Sequence, residues 1–357
     1  MKPANLKTKV FLDSGDPEET KEAIKLLGFL DGQTTNPTLI AKNPDAAARL
    51  ARGEKFSERE ILDFYRQTVQ EISGLIPEGS VSIEVYADEL TTADAMLKQA
   101  REFYAWIPPR PFSLSPKGGE GGGGAHIKFP TSEEGLKAAE QAVKEGMRVN
   151  MTLCFSQEQA AAVHAATRGA KKGQVFVSPF IGRLDDRGEN GMDLVKNIIR
   201  MYSTPSPTSP NPSSTSVKTS ADRSGRRGIE GAGEKEISLP LVGRVREGVV
   251  HKSHVEVLTA SVRSAEHILE ALRLGSDIIT MPFKVLKEWA SAQNPKSQFS
   301  PHLSSPARGE EMKEGMLKPI PYMQLDLNKP WESFDLKHPL TDAGIEKFSA
   351  DWNSLIQ

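Results

Sequence analysis

The chain has 357 residues, of which 38% are apolar and 26% charged, and its formal net charge is −2. That is a globular composition, and it excludes a polyelectrolyte that holds nucleic acid or a membrane surface through bulk charge. No apolar run approaches the roughly 20 residues of a bilayer span, Met1-Lys2-Pro3-Ala4-Asn5 lacks a secretory core, and the single cysteine, Cys154, has no partner for an internal disulfide, so the cytoplasm is the expected compartment.

Taken in order, residues 9–13 read as a short buried strand ending on Asp13. Asp16-Pro17-Glu18-Glu19 then opens a helix to about Leu27, with an N-cap, a proline in first place and acids in the first turn. Residues 32–40, Gly32-Gln33-Thr34-Thr35-Asn36-Pro37-Thr38-Leu39-Ile40, read as a small-polar turn closed by a helix-start signal. A long helical region follows, with Ile61, Tyr65, Val69 and Ile72 at helical spacing. Residues 81–85 are the third strand, with Glu84 near its end, and 92–106 the next helix.

Residues 125–130 are a strand carrying Lys128, 132–145 a helix stopped by Gly146, and 148–153 the fifth strand. Helix 157–168, strand 174–180 and helix 191–202 come next. Strand 254–261, helix 265–274 and strand 277–282 follow, then a helix from 285 and a last one over 341–355. Eight short apolar strands alternating with helices predict an α/β fold with a parallel sheet closed into a (β/α)8 TIM barrel. A doubly wound open sheet is the alternative, but no Gly-x-Gly-x-x-Gly follows an early strand.

Three stretches break this rhythm: 107–125, 203–250 and 293–317. They are rich in Pro, Gly, Ser and Arg and too poor in apolar residues to offset ordering entropy, so flexible loop insertions in a single barrel domain (1–357) are expected. Their loosely shared theme (Ser113-Leu114-Ser115-Pro116, Ser238-Leu239-Pro240, Ser304-Ser305-Pro306) suggests translated copies of a repeated element. A basic binding arm is the rival reading for 203–250, weakened by the acids Glu230, Glu234 and Glu236 among its arginines.

Lys128 lies between Ile127 and Phe129, so it points to the opposite strand face. In a closed barrel that face is the interior, where burial lowers an amine's pKa and makes it a nucleophile near neutral pH. Asp13, Asn36, Glu84, Asn150, Thr152, Ser178 and Ser261 each stand at the end or on a face of a predicted strand. Barrel strand ends converge on one mouth, where active sites are built. Carboxylates, a lysine, hydroxyls and amides meeting there suit acid–base chemistry around an imine. The seven histidines are scattered and Cys154 is alone, so no metal or other cofactor is expected.

The ordered motifs Phe11-Leu12-Asp13, Asp31-Gly32-Gln33-Thr34-Thr35-Asn36-Pro37, Ile127-Lys128-Phe129-Pro130, Asn150-Met151-Thr152-Leu153, Ser178-Pro179-Phe180-Ile181-Gly182-Arg183 and Thr259-Ala260-Ser261-Val262-Arg263 resemble the transaldolase family, which includes the fructose-6-phosphate aldolases. The resemblance implies a class I, metal-free mechanism with Lys128 as the Schiff-base lysine, Asp13 as the base at the C4 hydroxyl, and Glu84 with a water near Thr152 as proton shuttle. Asn36, Asn150 and Ser178, with Thr35 and Phe180, are then the sugar-binding residues. Arg183, Ser261 and Arg263 are the phosphate-binding ones. Glu84 and Phe180 stand where the hydrolytic-aldolase branch carries Gln and Tyr, so the resemblance favours a transferase over an aldolase that releases dihydroxyacetone. Phosphorylated sugars are the expected partners, with no nucleic acid or membrane and room for a homo-oligomer. An inactive barrel serving as an interaction scaffold is the reading from a different class.

Overall fold

The computed structural model describes residues 2, 3, 5–109, 123–204, 253–292 and 317–357. Most of the three expected insertions falls outside these residues. Eight parallel strands close in sequence order: β1 (Lys9–Asp13), β2 (Gly32–Thr34), β3 (Ser80–Glu84), β4 (Gly124–Pro130), β5 (Val149–Cys154), β6 (Val175–Pro179), β7 (Val255–Thr259) and β8 (Ile278–Pro282). β8 pairs with β1, register Asp13 to Pro282, and the ring is complete. Helices follow the strands: α1 (Pro17–Leu27), α2 (Pro37–Ala41), α3 (Pro44–Ala51), α4 (Glu58–Leu75), α5 (Ala93–Trp106), α6 (Glu133–Lys144), α7 (Gln157–Ala166), α8 (Ile181–Asp185), α9 (Gly191–Ser203), α10 (Ala265–Leu274), α11 (Phe283–Ala292) and α12 (Pro339–Asn353). This is a (β/α)8 barrel.

The core has two parts. Outward-facing Val, Ile and Leu of the strands pack under the helices; Val81, Ile83, Ile127, Val149 and Val177 are fully buried. Inside the ring, Phe11 meets Phe176 edge-on at 6.1 Å, and His126 stacks on Phe176 at 3.9 Å. Two residues further along the same strands stand Asp13, Ser178 and Lys128, on the same inward face. The interior is therefore layered, with an aromatic floor under a polar top. Gly32 permits that floor: a Cβ there would lie 2.4 Å from Phe11 Cζ.

Three details differ from the sequence reading. The turn expected over 32–40 contains β2, whose polar side chains are paired inside the protein rather than in water: Thr20 Oγ1 donates to Gln33 Oε1 at 2.7 Å, and Gln33 Nε2 donates to the Ser14 carbonyl at 2.8 Å. The long helical region is three helices, because Asn43-Pro44 starts α3 and a capping box at Ser57 and Glu60 starts α4. The short helix α8 also intervenes between β6 and α9.

Where the first insertion was expected, Ile107 is buried and accepts the Ala125 amide at 3.2 Å, so its two ends meet at the barrel edge. The chain from 317 runs across α9 and α7, held by Asn197 Nδ2 on the Ile320 carbonyl at 2.8 Å and Gln157 Nε2 on the Pro321 carbonyl at 2.9 Å. α12 then lies over the strands' C-terminal ends. Thr341 Oγ1 donates to the Leu153 carbonyl at 3.0 Å, and the chain end bridges to Phe56.

Candidate active site

A cavity of about 300 Å³ opens at the C-terminal mouth of the ring. Asp13, Lys128, Thr152 and Ser178 line it from four different strands, with Asn36 from the β2–α2 junction. Phe180, Arg183 and Ser261 face it from beyond β6 and β7.

The register explains the grouping. Glu84 is aligned with Lys128 and Lys128 with Asn150 across β3, β4 and β5. Lys128 is buried; its Nζ donates to the Thr35 carbonyl at 2.9 Å and lies 2.7 Å from Glu84 Oε2. The second contact is a close ion pair, and apart from it Glu84 Oε2 has no hydrogen-bond partner among the described residues. Thr152 Oγ1 is likewise buried without a hydrogen-bond partner among the described residues. Glu84 also borders a crevice of about 10 Å³ next to Pro130 and Leu153, roughly the space one water needs.

Both carboxyls are shifted. Burial pushes Asp13 above its ordinary value, and the Lys128 charge, the Thr34 hydroxyl at 2.6 Å and the Lys42 charge oppose the rise. Burial likewise raises Glu84, opposed first by Lys128 and then by Arg183. Two proton-holding groups thus flank one amine, which is the equipment for forming and breaking an imine.

Other expected site residues fall at different depths. Ser178 Oγ donates to Asn150 Oδ1 at 2.6 Å, and Asn150 Nδ2 donates to Ser82 Oγ at 3.2 Å, so Asn150 sits beneath the cavity and orients Ser178. Asn36 accepts the Leu39 amide at 2.9 Å as the N-cap of α2 while bordering the cavity. Thr35 turns its hydroxyl away, to Tyr65 Oη at 2.7 Å and the Ser82 carbonyl at 2.8 Å, and meets the site only through its carbonyl on Lys128. Ser261 has a left-handed backbone, φ 59°, a strained conformation for a non-glycine residue at the rim. Arg183 lies between the Phe180 and Phe348 rings, 5.5 and 5.3 Å from their centroids. Arg263 pairs with Asp186 through both terminal guanidinium nitrogens, Nη1 and Nη2, and does not line the cavity.

The sequence reading passed over Thr34, Thr280, Lys42, Lys347 and Phe348, which also line the cavity. Thr34 and Thr280 share a hydrogen bond at 2.6 Å, and their inward position follows from the two-residue alternation through Gly32 and Thr34. Cys154 is buried and its thiol is pushed up to about 12, which makes it unreactive. Among the described residues no three His, Cys, Asp or Glu side chains gather as metal ligands, and no helix is long and apolar enough to cross a membrane.

A parallel barrel that gathers a buried lysine and two perturbed carboxyls at its C-terminal mouth has the layout in which barrel enzymes build their active sites. The chain belongs to the transaldolase/fructose-6-phosphate aldolase family, whose profile matches residues 10–357. It is 30% identical over 347 residues, 97% of this chain and 99% of the other, to a probable transaldolase of Dehalococcoides mccartyi. It is 29% identical to probable transaldolases of Roseiflexus sp., covering 97% of each chain, and of Alkaliphilus metalliredigens, covering 98% of this chain and 100% of the other.

Proposed function

We propose that this enzyme is a transaldolase, moving a dihydroxyacetone unit between sugar phosphates through a Schiff base on Lys128. The observation that carries this reading is the placement of Lys128 Nζ, buried 2.7 Å from Glu84 and facing the same cavity as Asp13.

The Lys128 amine attacks the ketose C2 carbonyl. The carbinolamine loses water as Glu84 delivers a proton to the departing oxygen, and a water between Glu84 and Thr152 Oγ1 would give that hydroxyl the partner it lacks among the described residues. Asp13 takes the proton of the C4 hydroxyl, the C3–C4 bond breaks, its electron pair moves into the iminium, and an aldose phosphate leaves. The three-carbon enamine on Lys128 then attacks the aldehyde carbon of an acceptor aldose phosphate, and Asp13 returns its proton to the new alkoxide. Hydrolysis frees the product ketose. Ser178, oriented by Asn150, and the Asn36 amide nitrogen would hold the hydroxyls of the three-carbon unit. In the cell this is a step of the pentose phosphate pathway, and the cytoplasm is the proposed compartment.

Phe180 sets the expected balance between transfer and release. A phenyl ring at the cavity wall has no proton to give the enamine, so the enamine waits for an acceptor. The test supplies sedoheptulose 7-phosphate and glyceraldehyde 3-phosphate and follows erythrose 4-phosphate and fructose 6-phosphate. Transfer exceeding release of free dihydroxyacetone supports the reading. Release in the absence of an acceptor at the same rate means a fructose-6-phosphate aldolase instead, and no turnover of any sugar phosphate leaves the scaffold alternative. Phe180→Tyr is expected to move the balance toward release.

A further inference from the structure

β2 stops at Thr34, and the chain leaves the sheet through Asn36 and Pro37. The ladder between β2 and β3 runs one step further, with the Thr35 amide on the Ser82 carbonyl at 3.0 Å. In a regular parallel ladder the next bond would join the Glu84 amide to the Thr35 carbonyl. Here the Thr35 carbonyl accepts Lys128 Nζ at 2.9 Å, and the Glu84 amide donates to Tyr65 Oη at 3.0 Å. A phenol from outside the ring thus takes the amide that the departing strand leaves behind.

Tyr65 stands on α4, which packs against β3, and is buried. The Thr35 hydroxyl donates its one proton to the Ser82 carbonyl at 2.8 Å, so the proton in the 2.7 Å contact between Tyr65 Oη and Thr35 Oγ1 is the phenol's. Burial pushes the phenol above its ordinary value and keeps that proton in place. The result is one directed chain: the Glu84 amide donates to Tyr65, Tyr65 to Thr35, and Thr35 to Ser82. Phe103 and Trp106 meet the ring edge-on, each with its centroid 5.9 Å away, and Trp352 of α12 closes a third side at 5.8 Å. The ring is therefore fixed both by packing and by its hydroxyl.

We infer that Tyr65 is a positioning residue for imine formation: its hydroxyl takes the Glu84 amide out of the sheet ladder, leaves the Thr35 carbonyl to Lys128, and so fixes amine and carboxyl relative to each other. The inference rests on the transaldolase reading for the reaction it serves. Tyr65 does not line the cavity, so it acts only through other groups. It reaches both members of the pair at once, through the Glu84 backbone on one side and the residue whose carbonyl holds the Lys128 nitrogen on the other. Placement matters at this scale, since a shift of about 1 Å in a reacting group costs about 100-fold in rate.

The experiment compares the full chain with Tyr65→Phe, which removes only the hydroxyl, and with Phe103→Leu, which loosens the same ring cage and leaves the hydrogen bonds. Two rates are read at the Lys128 peptide by mass spectrometry. One is borohydride trapping of fructose 6-phosphate; the other is methylation by formaldehyde and cyanoborohydride, which needs an imine on Lys128 but no sugar. Tyr65→Phe is expected to slow both about 10- to 100-fold, to lower kcat of transfer in step, and to leave KM for glyceraldehyde 3-phosphate unchanged. Phe103→Leu is expected to lower the denaturation midpoint and leave the rates alone. Unchanged rates in Tyr65→Phe, or an equal slowing in Phe103→Leu, overturn the inference. Thr35→Val breaks the chain one link further on and applies the same test should Tyr65→Phe fail to fold. A sugar adduct in the unaltered chain with methylation indifferent to Tyr65 sinks the positioning role alone, and Tyr65-dependent methylation with no sugar adduct sinks the transaldolase reading alone.

Discussion

Lys128 and Glu84 face each other inside the barrel at 2.7 Å, each side chain 4% exposed. Water does not shield this pair, and removing either partner strands the other. In the proposed mechanism Glu84 exchanges a proton with the amine, 2.7 Å away, and with the oxygen that leaves as the imine forms. Glu84→Gln keeps the volume and removes the proton exchange. Its kcat in the transfer assay is expected to fall about 10²–10⁴-fold, with the rate of borohydride-trappable imine formation falling in step.

Thr152→Val is expected to slow the same step by a smaller factor. Its hydroxyl is buried without a hydrogen-bond partner among the described residues, so replacing it is expected to cost little stability. The pairing of a slower imine step with an unchanged denaturation midpoint distinguishes a working hydroxyl from one that props the strand end.

In the proposed mechanism Asp13 is the base, a role that requires its carboxyl to be ionised. Burial raises its pKa, so the acidic limb of the kcat/KM profile is expected above the usual carboxylate range, with activity lost as pH falls through it. The Thr34 hydroxyl lowers that pKa, so Thr34→Val moves the limb to higher pH. The linkage for stability has the opposite sense: a carboxyl whose folded pKa is raised favours folding at low pH and disfavours it above the folded pKa. Asp13→Asn is therefore expected to abolish turnover while raising Tm at pH 8 more than at pH 4. Calorimetric scans at the two pH values check this.

The aromatic floor carries a stability prediction. Gly32→Ala places a methyl 2.4 Å from Phe11 Cζ and 2.6 Å from the Ser80 carbonyl, and is expected to cost about 1–3 kcal/mol by overpacking. Phe11→Leu in the same chain removes the ring atoms in the way and is expected to recover part of the loss in a denaturant titration.

Burial pushes His164 down to about 3 and His254 down to about 4, with ring centroids 4.6 Å apart. Folded, both stay neutral where the unfolded chain binds protons. Their contribution is complete above the unfolded value of about 6.5 and declines as pH falls from there toward about 4. Urea midpoints at pH 7 and pH 5 are expected to differ less in His164→Asn/His254→Asn than in the unaltered chain.

The strand carrying Lys128 was legible because Ile127 and Phe129 alternate with it and Pro130 closes it. β2 was not, since Gly32, Gln33 and Thr34 look like a turn until their partners on α1 and β1 are known. Asp186 stands three residues from Arg183 in sequence, yet its partner in the structure is Arg263, 77 residues away. Lys42 and Lys347 were passed over in the sequence, because only the packing of α12 on α2 brings them to one rim. Periodicity reports which face a residue occupies, and it is silent on which distant element that face will meet.

The most direct test is to incubate the protein with fructose 6-phosphate, reduce with borohydride and map the adduct by mass spectrometry. The account predicts a single added three-carbon or six-carbon unit on the peptide containing Lys128, absent from Lys128→Arg. An unmodified Lys128, or an adduct only on another lysine, would contradict it.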